Sequence, residues 1–373
     1  MTTTETVQNE NSMVMAIEVS EKHWLLGFSN GEKERKIPIK AWDKERFREE
    51  MAKSKAKLGI EGKAPVYCCY EAGRDGFGIH RYLESEGIIN TVLDPSSVEV
   101  DQRKRRQKTD KIDAGKMLRL QESRYYHGNQ RYRIVSVPSR GQEAEMRVHR
   151  EWERLVKERT GHINRIKSLM ALHGVRSGNV LKIDISEVKD WEGQELSKEL
   201  GEELQREQER LHQVVKHMNQ IRAEQRRRTK EPETKADKIV ERFVLLKGIG
   251  MHSAWILSKE YFGWREFKNR RQVGALAGLT GSPYNSGNSN REQGISKAGN
   301  RRIRSLMVEL SWFWLRWQPQ SELSKWYMKR FGQGGERMRR IGIVALARKL
   351  LVALWKYLEF GIVPDGAVFK RIN

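Results

Sequence analysis

The run VYCCYEA, Val66 to Ala72, carries no charge until Glu71. A strand with one wet face alternates apolar and polar residues, whereas an unbroken apolar run suits a strand buried on both faces at the centre of an α/β sheet. Its surroundings agree. VMAIEVS, WLLGFS and KERKIPI precede it as strand-like segments separated by turn residues such as Asn30-Gly31, which reads as a β-meander. A charged helical stretch follows from Asp43 to Leu58, and after the central strand come a helix through FGIHRYLESEG, the strand NTVLD and a helix after Thr109. Strands and helices thus alternate to about Ser123, and residues 13–130 are expected to form an α/β domain behind a polar, disordered tail of residues 1–12.

From Gly141 the pattern becomes helical. Trp152, Leu155, Val156, Ile163, Ile166, Leu169 and Met170 recur at helical spacing, and Leu200, Leu204, Leu211, Val214, Met218 and Ile221 keep most of a heptad that Glu207 interrupts. Residues 141–235 therefore read as an antiparallel helical pair or coiled coil, with an amphipathic helix on a globular core as the alternative. The charged run RRRTKEPETK, Arg226 to Lys235, reads as a linker to a mainly helical C-terminal domain, residues 236–373. That domain opens with LLKGIGMHSAWIL, in which Gly248 and Gly250 form either a phosphate-presenting turn or an ordinary helix connection. ALAGLTGSPYNSGNSNREQGISKAGNRRIR follows as a loop-rich stretch, and Trp312, Trp314 and Trp317 then fall among aliphatic residues at helical spacing, which places them in a core.

The chain has 373 residues, a formal net charge of +22 and a pI near 9.9, so a polyanion is its expected partner. Nucleic acid is favoured over a membrane, because no apolar run approaches a bilayer span and no signal peptide precedes the first strand. The only cysteines, Cys68 and Cys69, are adjacent in an apolar run and read as buried thiols in a reducing, cytoplasmic compartment.

Against this positive background RRQKTDKIDAGK, Arg105 to Lys116, holds Asp110 and Asp113 on one helical face, where two carboxylates repel unless a cation intervenes. Lys108, Lys111 and Lys116 supply one solution, a solvated salt-bridge cluster. A Mg²⁺ or Mn²⁺ ion, which takes oxygen ligands and keeps several waters, is the other. Glu18, a carboxylate within an apolar strand, and Glu71, at a strand's carboxyl end where α/β sheets gather ligands, extend the pair to a candidate quartet.

These residues carry a resemblance. An acid in the first strand, Glu-Ala-Gly after a buried strand, Lys-Thr-Asp-x-x-Asp-Ala before a helix and SPYNSGNSNREQGISKAGNRRIR near the end are similar to the DEDD transposases related to the invertase Piv, the insertion-sequence family numbered one hundred and ten. The first acid departs from that pattern, being Glu18 where the family usually has aspartate. The resemblance implies a RuvC-type, ribonuclease-H-like first domain whose Glu18, Glu71, Asp110 and Asp113 hold the metal, a coiled-coil middle, and a C-terminal transposase domain whose Ser286 attacks a DNA phosphodiester. Ser282, Ser289 and Ser296 are local rivals that composition alone does not exclude. It also implies a noncoding guide RNA paired to donor and target DNA, and a homo-oligomer of dimers joined into tetramers in the bacterial or archaeal nucleoid. Arg103, Lys104, Arg105, Arg106, Lys108, Lys297, Arg301, Arg302 and Arg304 are the expected nucleic-acid contacts. Two rival readings are a metal-dependent Holliday-junction-type nuclease, in which water attacks, and a noncatalytic RNA-binding protein.

Overall fold

The computed structural model describes residues 11–97, 110–286 and 289–370, with the backbone alone at Ser96, Asp110, Lys111 and residues 283–286 and 289–293. Arg103, Lys104, Arg105, Arg106 and Lys108, and most of the expected tail, lie outside the described residues. The chain divides into two compact units, up to Val137 and from Pro138 onward.

The first unit begins with the expected meander, β1 (Met13–Val19), β2 (His23–Ser29) and β3 (Glu34–Lys40), and continues through α1 (Lys44–Lys57), β4 (Val66–Glu71), α2 (Gly78–Ser85), β5 (Ile89–Leu93) and α3 (Asp110–Tyr125). The five strands form one sheet in the order β3-β2-β1-β4-β5. β2 runs antiparallel to β1 and β3, while β4 is parallel to β1 and β5 is parallel to β4. VYCCYE is therefore an inner strand, and it is buried on both sides. Cys68 joins Met13, Met15, Ile17 and Phe28 on one face, whereas Cys69 joins Val14, Ala16, Met117 and Leu118 on the other. Period-two alternation thus points the adjacent thiols in opposite directions. Both are free and fully buried, and burial pushes both thiols up.

The second unit starts with two long helices, α4 (Arg140–Leu172) and α5 (Lys198–Lys230), which pack as an antiparallel hairpin. Ser139 begins α4 with a capping box, its hydroxyl accepting from the Gln142 N–H while the Gln142 side chain accepts from the Ser139 N–H. The seam is the expected one: Trp152 and Leu155 meet Val214 and Met218, and Ile166 and Met170 meet Leu204 and Leu211. Glu207, which breaks the heptad, is buried within it. His162 Nδ1 at 2.7 Å, Arg165 at 2.8 Å and Arg210 at 2.6 Å surround its carboxylate. Burial alone would raise its pKa, but these hydrogen bonds and charges outweigh it and hold the carboxyl below its usual range.

The first half of the charged run expected as a linker, up to Lys230, is the end of α5, and only residues 231–234 separate it from α6 (Lys235–Leu245), which Thr234 caps. Then follow α7 (Met251–Ile256) with a π-helical turn (Leu257–Phe262), α8 (Arg270–Leu276), the hairpin strands β6 (Gly281–Ser286) and β7 (Ser289–Ile295), α9 (Arg301–Trp317), α10 (Glu322–Tyr327) with a second π-helical turn (Met328–Gly332), and α11 (Glu336–Phe360). The stretch read as loop is thus partly a β-hairpin, whose small polar residues gave no alternation to read. Among the three tryptophans only Trp314 is core, on the stripe of Ile303, Met307 and Leu310; Trp312 is 48% and Trp317 44% exposed. Trp312 points away from that stripe, and Trp317 ends the helix one turn beyond Trp314, past the end of the core. Among the described residues no helix is long and apolar enough to cross a membrane.

The π-helical turn binds the hairpin to the remaining helices through two adjacent buried charges. Lys259 Nζ lies 2.6 Å from Asp237 and 3.2 Å from Glu145, and Arg228 reaches the same two acids at 3.0 and 3.1 Å. Glu260 accepts from Arg150 at 2.5 and 3.0 Å and lies 2.9 Å from His149 Nε2. Burial opposes the Glu260 charge, but the His149 and Arg150 hydrogen bonds and the Arg150 charge prevail, taking its pKa from 4.5 down to about 2. A depressed folded-state pKa contributes stability that is complete above the unfolded value and fades as pH falls through the folded one. Glu260→Ala is expected to lose about 3–5 kcal/mol at pH 7. Urea denaturation should also show a smaller loss of stability between pH 4.5 and 2 than in the unaltered protein. Equal acid sensitivity would remove Glu260 from this account.

Candidate active site

The candidate acids occupy one edge of the first sheet. β1 and β4 are parallel neighbours with Ile17 opposite Tyr70, so the next step in register sets Glu18 beside Glu71 at the carboxyl ends of both strands. Alternation gives them a common face. Val14 and Ala16 precede Glu18 on it, Cys69 precedes Glu71, and this is the face that α3 covers with Met117 and Leu118.

The direction of α3 decides which of its ends meets that edge. Just beyond its C-terminus, the Tyr126 hydroxyl donates to the carbonyl of Ser12 at 3.0 Å, at the start of β1. α3 therefore runs back along β1, and its first turn lies towards the strand ends. From that bond, Asp113 is about 20 Å along the helix at ~1.5 Å per residue, and Glu18 is about 20 Å along the strand at ~3.3 Å per residue. The two residues therefore stand at about the same level along the sheet. Asp110 opens the same helix, three residues earlier. Two strand ends and one helix start thus bring Glu18, Glu71, Asp110 and Asp113 to one sheet edge.

Lysines accompany them. Lys116 lies 3.5 Å from Asp113, one of the expected compensating charges. Lys36 of β3, which the sequence reading did not single out, packs so closely over the helix that a Cβ on Gly115 would come 2.9 Å from its Nζ. No sequence signal ties Lys36 to α3, because the sheet order alone makes them neighbours. Among the described residues no three His, Cys, Asp or Glu side chains gather closely enough to hold a metal ion. The donor set nevertheless suits a hard cation. It is all carboxylate, and Mg²⁺ needs only a few protein oxygens, with waters and phosphates supplying the rest.

Ser286 lies in the second unit, at the end of β6, where it pairs with Ser289 as the last described pair of the hairpin. Gly287 and Asn288 lie outside the described residues. The base of this hairpin is unusually tight. Gly278 has φ +66°, and a Cβ there would fall 2.0 Å from the Ala298 carbonyl; Gly299 has φ +88°, and its Cβ would fall 2.2 Å from the Leu276 carbonyl. Lys297 holds a positive φ of 55° between them. Arg304 closes the base, donating from Nη1 to the carbonyl of Lys297 at 2.8 Å and of Ala277 at 3.3 Å. This expected nucleic-acid contact thus also holds the two feet of the hairpin together. Arg302 pairs with Glu153 of α4 at 2.8 Å, while Arg301 and Lys297 are exposed.

Comparison with known proteins adds the family. Residues 241–325 match the model of the "Transposase IS116/IS110/IS902 family". Across 96% of this chain and 95% of its own length, "Putative transposase y4rJ" of Sinorhizobium fredii is 37% identical. The "Transposase for insertion sequence element IS1328" of Yersinia enterocolitica is 25% identical over 64% of this chain and 68% of its own length.

The hairpin base yields a stability test. Gly278→Ala forces a side chain into the left-handed region and onto the Ala298 carbonyl, with an expected cost of at least about 1–3 kcal/mol. Gly281→Ala, where the nearest atom is 4.0 Å away, serves as the control. Chemical denaturation with limited proteolysis around residue 286 should report the loss for the first variant only. Equal behaviour of the two would show that the hairpin does not depend on this crossing.

Proposed function

The chain belongs to the IS116/IS110/IS902 family of transposases, and on that premise we propose that it is an RNA-guided DNA recombinase that cuts and rejoins strands through a serine nucleophile. The first unit is its ribonuclease-H-like part. A three-strand antiparallel meander that continues into two parallel strands, with α3 laid across β2, β1 and β4, supports that assignment. Glu18, Glu71, Asp110 and Asp113 are the residues that would hold Mg²⁺ or Mn²⁺, and the glutamate in place of the family's usual first aspartate offers the same oxygen ligand on a longer arm. When bound, the cation polarises the scissile phosphate and stabilises the departing oxygen.

The chain's own residues perform the remaining steps. The Ser286 hydroxyl gives its proton to solvent as Oγ attacks phosphorus, a serine–phosphate ester forms, and the bond from phosphorus to the 3′ oxygen breaks, that oxygen taking a proton from solvent to leave a 3′ hydroxyl. Attack of a 3′ hydroxyl from another strand on the ester reverses the step, restores the serine and joins new partners. Lys297, Arg301 and Arg302 neutralise the phosphate, and Arg304 keeps the hairpin feet closed while it reacts. Base reading falls to the guide RNA, which accords with a net charge of +22 and with backbone-directed recognition of a heteroduplex. The donor and target DNA are handled by dimers paired into tetramers, as the family resemblance implies.

The observation that carries this reading is the antiparallel course of α3 along β1, which brings acids from three distant segments to one edge. The test is a denaturing gel of the purified protein with its flanking RNA, end-labelled donor DNA and Mg²⁺. A protease-sensitive protein–DNA adduct is expected, absent without RNA and absent in both Ser286→Ala and Asp113→Ala. Cleavage without an adduct that persists in Ser286→Ala would replace this reading with a metal-dependent junction nuclease. Binding with no cleavage at all would leave an RNA-binding protein.

A further inference from the structure

Between the turn that joins α6 to α7 and the end of α9 lies a cleft of about 520 Å³ that the strand-transfer chemistry does not use. Its wall is aromatic. Phe313 and Trp317, one helical turn apart on α9, line it and are 40% and 44% exposed. Its floor is Gly248, at φ +94°, where a Cβ would come 3.3 Å from the Trp317 Cβ and 3.5 Å from the Phe313 carbonyl. The positive φ favours glycine here, and the close approach to α9 leaves little room for a side chain.

The rim is cationic. Lys247 and Lys370 line the cleft, and the Trp317 ring has Lys247 Nζ at 5.7 Å and the Arg316 guanidinium at 5.4 Å from its centroid. Glu309 puts one carboxylate on the same wall, an acceptor for a ring or exocyclic N–H of a base. His252 adds a ring nitrogen, Nδ1, that is buried without a hydrogen-bond partner among the described residues. Burial lowers the His252 pKa to about 4, so the imidazole is neutral at pH 7.

The frame is rigid. Gln318 is buried and spends its whole amide here: Nε2 donates to the carbonyls of Lys247 and Val368, both at 2.8 Å, and Oε1 accepts from the Val368 N–H at 2.8 Å. Lys370 Nζ donates to the Ile249 carbonyl at 2.8 Å. A preformed slot with aromatic walls, a polar far edge and a positive rim matches a flat ring that carries an anionic tail.

We infer that this cleft takes one unpaired nucleobase of a nucleic-acid strand, its face against Trp317 and Phe313 and its phosphate at Lys247. The inference rests on the reading that the chain handles nucleic acid, but not on the serine chemistry. The test measures fluorescence anisotropy of the full chain with three labelled probes: oligothymidine DNA, oligouridine RNA and a blunt DNA duplex. Trp317→Ala should weaken single-strand binding about tenfold and leave the duplex unchanged, because paired bases are not free to stack on protein. Trp317→Phe should restore most of the loss, and Lys247→Ala should lower the salt slope on single strands by about 0.7. A loss confined to the DNA or to the RNA probe supports the site and identifies the strand that docks. Equal loss on all three probes, or none, overturns it. If Trp317→Ala still binds single strands while Ser286→Ala abolishes the adduct, only the cleft assignment falls. If Ser286→Ala leaves cleavage intact while Trp317→Ala loses single strands, only the serine reading falls.

Discussion

A charge taken out of water must be met by another, and the second unit is organised around that requirement. The π-helical turn places Lys259 and Glu260, neighbours in sequence, into two separate buried clusters. Lys259 is met by Asp237 of α6 and Glu145 of α4; Glu260 is met by His149 and Arg150 of α4. The extra residue in a π turn changes the facing of the groups on either side of it, so adjacent positions can serve different partners. A carboxylate or ammonium left alone there would cost several kcal/mol, so slippage of α4 against this turn is penalised at both clusters together. Glu207 does the same within the hairpin, where a polar interruption of the seam specifies one alignment of α4 against α5.

In the first unit the governing constraint is apolar. β4 is buried on both faces, so a helix must cover the face that carries Val14, Ala16 and Cys69, and α3 does so with Met117 and Leu118. That packing has a chemical consequence. Once α3 lies antiparallel to β1, its acidic first turn falls beside Glu18 and Glu71 whether or not a metal is present. The hydrophobic contact in the middle of the helix sets the position of the acids at its end.

The fold was readable where local patterning and tertiary environment agree. The meander, the central strand, α3 and the heptad seam all follow periodicities that burial reinforces. It was less readable where backbone pairing or a helix end decides. The hairpin of β6 and β7 has no alternation to show, and its feet are held by Gly278, Gly299 and Arg304, residues with no pattern that reports a crossing. Trp317 has core spacing on α9 but stands beyond the last core residue, so a correct period led to a wrong location. The acids were found as separate residues because charge in apolar or strongly basic surroundings is conspicuous. Lys36, which sits over the same helix, was not, since nothing local distinguishes it from other surface lysines.

By itself the sequence determined most of the element types, the two buried cysteines and the strongly basic balance, and it singled out the carboxylates as candidates, because each depends on composition or on spacing within a few residues; Ser286 was set apart from its neighbouring serines by the family resemblance alone. Only the tertiary structure decided that α3 runs back along β1, that Glu207, Lys259 and Glu260 are buried with partners from other helices, and that a tryptophan of core spacing lines an open cleft. Those outcomes depend on which distant segments share a face. The free energies that select them, burial of apolar surface and pairing of buried charge, exist only once the segments have met.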